Sequence, residues 1–162
     1  MSAFLLSVHL VTAILAVGPI AVAASMFPPA ARAALAAGDQ RAATAVRVLH
    51  RIANVYSVVG VAVPCFGLAT AASLGVLGQA WLLVSIALTA VAALVLVVLI
   101  LPAQRVVLDG IQGASSIGAQ TAEALALLAR RLAMRTGIFN LLWVVVVVLM
   151  VLRPGSTTGV GL

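Results

Sequence analysis

Two histidines are the residues of this chain with the clearest capacity for chemistry in an apolar setting. His9 lies in the otherwise apolar stretch SVHLVTAILAVGP, residues Ser7 to Pro19. An imidazole at membrane depth ligates a metal or haem, or it forms a structural hydrogen bond, because burying it in lipid without a partner is costly. We expect His9 to be structural, bonded to a neighbouring hydroxyl or carbonyl.

His50, the second histidine, is not expected to join His9 at one site. His9 lies about five turns from one end of its predicted helix, and His50 lies at the start of another, so roughly 20 Å or more separates them. One chain therefore does not ligate a haem with both. Haem or metal binding would need histidines from two protomers, and no cofactor is predicted.

A polar series begins at the residues around His50 and follows one predicted helix face at the spacing i, i+3, i+4, i+7 and i+10. Its members are Arg47, His50, Arg51, Asn54 and Ser57. Asn140, one turn after Thr136, offers a similar group at the same depth of the last predicted span. Three interpretations stay open: an anion or lipid-headgroup site, a docking surface for another membrane protein, or interfacial anchoring with interhelical hydrogen bonds.

Four arginines, Arg47, Arg51, Arg131 and Arg135, precede the second and fourth predicted spans. Arginines near an anionic membrane surface each contribute about 1 kcal/mol of attraction. We therefore predict that these four contact anionic lipid headgroups.

Several enzyme classes lack their parts in this sequence. Cys65 is the only cysteine, which excludes an internal disulfide and a CxxC pair. The predicted spans contain no Asp or Glu, and no HExxH, GxSxG or Walker motif occurs. We expect a protein that is not an enzyme.

The composition predicts the elements that must hold these residues. Hydrophobic residues make up 65% of the 162-residue chain and charged residues 7%, far below the roughly 25% charged residues of soluble domains. Four segments are long enough to cross a hydrocarbon core: Ala3 to Met26, Ile52 to Leu74, Ala80 to Leu101 and Gly137 to Leu152. The predicted fold is all-α: residues 1–162 form one transmembrane four-helix bundle with amphipathic helical loops on the cytoplasmic side.

The orientation follows from the arginines. The connections Phe27 to Arg51 and Pro102 to Thr136 each carry four arginines, whereas Gly75 to Gln79 carries no charge. The positive-inside rule places both basic connections in the cytosol and both termini outside, although Arg153 opposes this weakly. The same rule accounts for the net charge of +6, so nucleic-acid binding is not expected.

Local signals predict where the helices begin and end. Pro28 and Pro29 should end the first helix, and Ala30 to Ala37 should form a short surface helix. Asp39 is a plausible N-cap for a long second helix, which Pro64 should kink.

The third connection should contain a loop and then a helix. The stretch DGIQGASSIGAQ, Asp109 to Gln120, is typical of a flexible loop. After it, apolar residues at i, i+3, i+4 and i+7 predict an amphipathic helix at the inner interface: Leu125, Leu128, Ala129 and Leu132.

A faint internal repeat relates the two halves of the chain. Pro29–Arg32 matches Pro102–Arg105, and Arg47–Arg51 resembles Arg131–Arg135. Two hairpins of the same orientation would be related by an axis along the membrane normal, although flanking arginines alone also explain the match.

Three stretches carry a resemblance to a known family: VHLVTAILAVGPIAVAASMFPPAARAALAAGD, VLHRIANVYSVVGVAVPCFGLAT and WLLVSIALTAVAALVLVVLILPAQR. Together, from Val8 to Arg105, they resemble small bacterial integral membrane proteins grouped as a domain of unknown function. The feature that carries it is a histidine followed by Gly-Pro in the first span. The resemblance implies four spans in the bacterial cytoplasmic membrane and no established activity.

Three functions remain open. The first is a non-enzymatic membrane component that assembles with itself or with a larger complex. The second is a small transporter or channel with a polar path near the inner leaflet. The third is a haem- or metal-binding protein that uses histidines of two protomers.

Overall fold

The computed structural model describes residues 2–37, 39–113 and 119–155, and this part of the chain is built from helices without a strand. The helices are α1 (Ser2–Ala37), α2 (Gln40–Val59), α3 (Ala62–Leu74), α4 (Ala80–Leu94), a π-helix (Val95–Ile100), α5 (Leu101–Gln112) and α6 (Ala119–Leu152). They make four helical stretches long and apolar enough to cross a membrane, which confirms the predicted fold class. Each stretch extends beyond its predicted span at the end where the arginines lie.

The prediction that Pro28 and Pro29 end the first helix is wrong, because α1 continues through both to Ala37. The predicted surface helix Ala30–Ala37 is therefore the last part of α1. Pro28 is fully buried beside Phe27 in the core. In lipid, helices tolerate proline because neighbouring helices and local adjustments satisfy the freed backbone groups.

The second span is two helices, where the sequence predicted one long helix with a kink at Pro64. Asp39 caps α2 by accepting a hydrogen bond of 2.8 Å from the Arg41 backbone N–H. The α-helix is then interrupted between α2 and α3, where Gly60 O accepts from Val63 N at 3.1 Å. Pro64 has no N–H with which to bond the Gly60 carbonyl, so the interruption follows from the proline.

The third span also changes its helical form before a proline. The Leu101 N–H donates to Leu96 O, the i to i−5 pattern of a π-helix, and α5 begins at Leu101 with Pro102 in its first turn. Because α5 runs to Gln112, the predicted loop is wrong in its first residues, and its residues 114–118 lie outside the described part. The amphipathic segment from Leu125 to Leu132 is helical as predicted, but it is continuous with the last span in α6.

The helices pack into a bundle in which α1 contacts α2, α3 and α6, while α6 also contacts α4, and α5 contacts α2. The largest buried cluster lies toward the arginine-bearing end, which we define as the end holding the α1–α2 and α5–α6 connections. It contains Phe27, Ile100, Val107, Leu132 and Phe139. Large apolar side chains such as Ile14, Val58 and Val151 face outward, as expected of lipid-facing surfaces.

The burial pattern follows the internal repeat. Ala31 and Gln104 are both fully buried, at matching positions after Pro29 and Pro102. In the second helix of each hairpin the buried positions also repeat. The alignment that matches the buried positions is shifted by one residue from the alignment that matches the arginines. The buried residues Ala129, Thr136 and Val146 then correspond to Val46, Ala53 and Val63.

Candidate functional site

His9 is held inside the bundle by the interrupted second span. Its Nδ1 donates to Val63 O at 3.0 Å, and only 8% of the residue is exposed. Gly67 makes room for the ring, because a Cβ there would lie 3.0 Å from His9 Cε1. This is the arrangement expected of a structural histidine, with the interhelical carbonyl as its partner.

His50 contacts a different helix and a residue that the sequence did not single out. Its Nδ1 lies 3.2 Å from Oε1 of Gln104, which is fully buried at the start of α5. The side chains of Arg47, Arg51 and Asn54 are exposed, so the predicted polar series is not directed as one face into the bundle. Among these four described residues, His50 is the one whose side chain forms a hydrogen bond with the third span.

A set of buried polar atoms without a hydrogen-bond partner in the described structure is the least expected feature of the core. The atoms are Gln104 Nε2, Thr136 Oγ1, Asn140 Oδ1 and Trp143 Nε1. We call these four residues the polar layer. Leaving one such group unsatisfied costs about 1–3 kcal/mol, so each of the four atoms needs an explanation, for example a bound solute or water.

Three members of the polar layer come from consecutive turns of α6. Thr136, Asn140 and Trp143 are spaced i, i+4 and i+7, which places them on one face over about 10 Å of helix. Asn140 is anchored, because its Nδ2 donates to Ser25 Oγ on α1 at 2.9 Å. The Trp143 ring packs edge-on to Phe139, with ring centroids 6.3 Å apart.

Arg135 connects α6 to the irregular backbone of the third span. Its Nη1 donates to Leu99 O in the π-helix at 3.1 Å. Farther toward the arginine-bearing end, Leu125 of α6 packs so closely on α5 that a Cβ on Gly110 would lie 2.5 Å from it. These two contacts fix how α6 lies against the third span, and Gln104 lies between them along the chain.

The fold itself does not require polar groups at these depths. In the internal repeat, Gln104 corresponds to Ala31 and Thr136 to Ala53, and both alanines are fully buried. The first hairpin thus packs with small apolar side chains where the second holds an amide and a hydroxyl. Gln104 and Thr136 are therefore polar at positions where the first hairpin has apolar residues.

The predicted site residues are thus distributed over separate places. His50 and Asn140 adjoin or belong to the polar layer, whereas His9 is bonded elsewhere and Asn54 faces outward. Among the described residues, no group of three or more His, Cys, Asp or Glu side chains is placed to hold a metal ion. Of the predicted lipid contacts, Arg47, Arg51 and Arg131 are exposed, and Arg135 is half-buried.

Sequence reasoning missed Gln104 and Trp143 as members of a site. The sequence did contain a signal for Gln104, because the internal repeat aligns this polar residue with the apolar Ala31. Trp143 carried no such signal, because a tryptophan in an apolar span is ordinarily explained by packing or by the interface.

Comparison with known proteins agrees with this architecture. No curated protein and no solved structure matches the chain. A family model described as "Predicted integral membrane protein (DUF2269)" matches residues 3–154, which include all four spans and the polar layer. The chain belongs to this family of integral membrane proteins of unknown function.

Proposed function

We propose that the protein is a non-enzymatic membrane component that binds a small polar solute in the polar layer, as a carrier or solute-binding protein does. The observation that carries this proposal is the group of four buried polar atoms without partners. Ligand sites place a few polar groups within mostly apolar walls, and the neighbouring Phe27, Ile100 and Phe139 belong to such an apolar core.

The surroundings of the polar layer support solute binding. Polar contacts there involve all four spans, through Ser25 on α1, His50 on α2, Gln104 on α5 and Asn140 on α6. Asn140 with Ser25 and Gln104 with His50 are two separate pairs, so a solute bound at either pair would contact residues of two spans. Its binding would thus be coupled to the packing of those two spans.

The test is solute-dependent thermal stability of the purified protein. A solute present at about 100 times its Kd stabilises the folded state by about 2.7 kcal/mol. We expect this stabilisation to disappear in Asn140→Leu and to persist in Asn54→Leu, a matched control whose amide is exposed. If a broad set of solutes stabilises neither the native protein nor the control, the proposal is wrong.

A second candidate function is association at the membrane surface, with a partner protein, a second copy or anionic lipid. It is favoured by Arg47, Arg51 and Asn54, whose exposed side chains lie along α2. Arg131 adds an exposed charge at the same end of the bundle. Such arginines attract anionic headgroups over about 8 Å at physiological ionic strength.

The clean test of this second candidate replaces Arg47, Arg51 and Arg131 with Gln and leaves Arg135 bonded to Leu99. Retention of anionic lipid by the purified variant should fall, and its dependence on salt should weaken. Copurification from native membranes should lose any partner that binds this surface. Unchanged lipid retention, salt dependence and copurification would leave these arginines only their role in orientation.

We also propose a location in the bacterial cytoplasmic membrane, with the arginine-bearing end in the cytosol and both termini outside. Eight of the nine arginines support this orientation, and Arg153 opposes it. Reporter fusions after Asp39 and Asp109 should report the cytosol. Fusions after Leu77 and Leu162 should report the outside, and a fusion after Asp39 that reports the outside would reverse the orientation.

Haem or metal binding by two protomers is the least supported of the three functions. His9 already donates through Nδ1 to Val63 O, and its ring is almost completely buried against Gly67. A visible spectrum of the purified protein tests this directly, since bound haem absorbs strongly. We expect no haem band.

A further inference from the structure

We infer that Arg153 and Trp81 form a binding site for the phosphate of a lipid headgroup, at the end of the bundle opposite the arginine-bearing end. This opposite end holds the α3–α4 connection and the end of α6. The site goes beyond the proposed function, because Arg153 lies about 15 Å of helix beyond Trp143, the last member of the polar layer. It is also distinct from the second candidate, whose arginines lie at the other end.

Contacts with two helices hold the Arg153 side chain in place. Its guanidinium carbon lies 5.6 Å from the centroid of the Trp81 ring, within the range of a cation–π contact. Its Nε donates to Met150 O at 3.3 Å. Met150 packs against the apolar cluster that contains Trp81, and Trp81 Nε1 donates to Gln79 Oε1. Direct contacts therefore position the guanidinium between the end of α6 and the start of α4.

The guanidinium of Arg153 keeps donors for a ligand. An arginine has five N–H donors, and the bond from Nε to Met150 O uses one of them. Among the described residues, this is the hydrogen bond that the Arg153 side chain makes. The two Nη groups thus offer a planar pair of donors, which matches two oxygens of one phosphate.

The positive charge of Arg153 has no acidic side chain to neutralise it. The three acidic side chains of the protein, Asp39, Asp109 and Glu123, lie at the arginine-bearing end. Among the described residues, Arg153 is the one charged side chain at the opposite end. The positive-inside rule disfavours an arginine at this end in the proposed orientation, so topology does not explain its presence. An anion from the surroundings would supply the missing partner.

The backbone of Arg153 adopts a conformation that is uncommon for this residue type. Its φ of 44° lies in the left-handed region, where helices commonly end with a glycine. The Arg153 N–H donates to Leu149 O at 2.9 Å, which closes the end of α6. Glycine would make this turn more easily but would provide no guanidinium above Trp81. The side-chain contacts therefore stabilise the turn, and the turn in turn fixes the guanidinium.

The position of the pair favours a lipid as the source of the phosphate. Trp81 lies in the first turn of α4, and Arg153 directly follows α6, so both lie where the spans leave the hydrocarbon. Tryptophan is enriched at this level, which adjoins the headgroups. The turns of α6 that lead to Arg153 expose Val148 and Val151, which offer apolar surface to acyl chains. A phospholipid thus satisfies the charge and the apolar surface together.

The experiment uses the full chain with Trp143→Phe in neutral detergent. Trp81 is then the only tryptophan, so its fluorescence reports binding at this end of the bundle. The probe is short-chain phosphatidylglycerol, and the control is a diacylglycerol with the same acyl chains and no phosphate. We expect a saturable change in Trp81 fluorescence with phosphatidylglycerol and none with the diacylglycerol.

Two arginine variants in this background test the role of the guanidinium. Arg153→Gln should weaken binding of phosphatidylglycerol about tenfold or more, because hydrogen bonds between charged groups are the strong ones. Arg131→Gln removes the same charge from the other end, and it should change the affinity less than about twofold because salt screens charges so far apart.

Arg153→Gln also removes the bond to Met150 O and can disturb the end of α6, so Arg153→Lys is the second variant. It keeps the charge at this position and loses the planar pair of donors. We expect severalfold weaker binding of phosphatidylglycerol by a protein that unfolds at the native temperature.

Four outcomes overturn the inference. Equal binding of the diacylglycerol would show that acyl chains alone are recognised. Equal losses in Arg131→Gln and Arg153→Gln would show general attraction to positive charge. Native affinity in Arg153→Lys or in Arg153→Gln would remove the guanidinium from the site. Inorganic phosphate that binds as tightly as the lipid would make the ligand a free anion and not a headgroup.

Discussion

Replacing Thr136 with Val should make the protein more stable, which is unusual for a change in a buried core. Thr136 is 3% exposed, and its hydroxyl has no hydrogen-bond partner in the described structure. Valine keeps the β-branched shape and removes the unsatisfied group. Relief of that group is worth about 1–3 kcal/mol.

The matched control is Thr70→Val. Thr70 is also buried in a helix, at 5% exposed, but its hydroxyl donates to Phe66 O at 2.7 Å. Removing this bond should lower stability by roughly 0.6 kcal/mol, the average for side-chain hydrogen bonds in a membrane bundle. The two substitutions have the same chemistry, so their opposite signs would isolate the unsatisfied hydroxyl of Thr136.

The assay is thermal unfolding of both variants in the same detergent, without added solute. For a chain of this length each kcal/mol corresponds to about 2–4 °C in Tm. We expect Thr136→Val to melt above the native protein and Thr70→Val to melt below it. If Thr136→Val melts as low as Thr70→Val, the Thr136 hydroxyl is bonded in the resting protein, and the argument from unsatisfied groups fails.

Three further predictions concern close contacts. His9→Gln should keep the native Tm, whereas His9→Leu should lower stability by roughly 0.6 kcal/mol because it loses the bond to a backbone carbonyl; equal Tm values for the two variants would contradict this. Gly67→Ala should destabilise the native protein by about 1–3 kcal/mol, because the added methyl group overpacks against His9. In a double-mutant cycle, the same substitution should cost much less when His9 is replaced by Ala. Gly110→Ala should lower stability less than Gly67→Ala, because the added methyl group contacts the flexible end of the Leu125 side chain. Replacing Leu125 with Ala should remove this loss of stability.

Hydropathy predicted the four spans, and backbone chemistry predicted the Asp39 cap and a kink at Pro64, where the structure has a break between two helices. The same chemistry was misleading at Pro28 and Pro29, where the chain stays helical. A soluble segment there would end its helix, but in a bundle the neighbouring helices stabilise the chain around a proline. Single residues therefore predict a possible break, and tertiary packing decides whether it occurs.

The candidate site was less predictable because periodicity does not fix which way a helix faces. The predicted polar series on α2 does not face the bundle as a whole, because the inward face of α2 is centred on the fully buried Val46 and Ala53. His50 lies between these residues along the helix, whereas Asn54 follows Ala53 and is turned away by about 100°. Partners from distant segments, such as Gln104 for His50, become visible only when the packing is known.

Two of the four spans are continuous helices, and the other two are interrupted. α1 and α6 are continuous over 36 and 34 residues and pack against each other. The other two spans are each broken, one between Val59 and Ala62 and the other by the π-helix. We therefore expect any bending of the bundle to occur at the two broken spans, beside the continuous helices α1 and α6. Because Asn140 lies on α6 and is bonded to Ser25 of α1, whereas Gln104 lies on a broken span, such bending would change the distance between Asn140 and Gln104 without separating the helices.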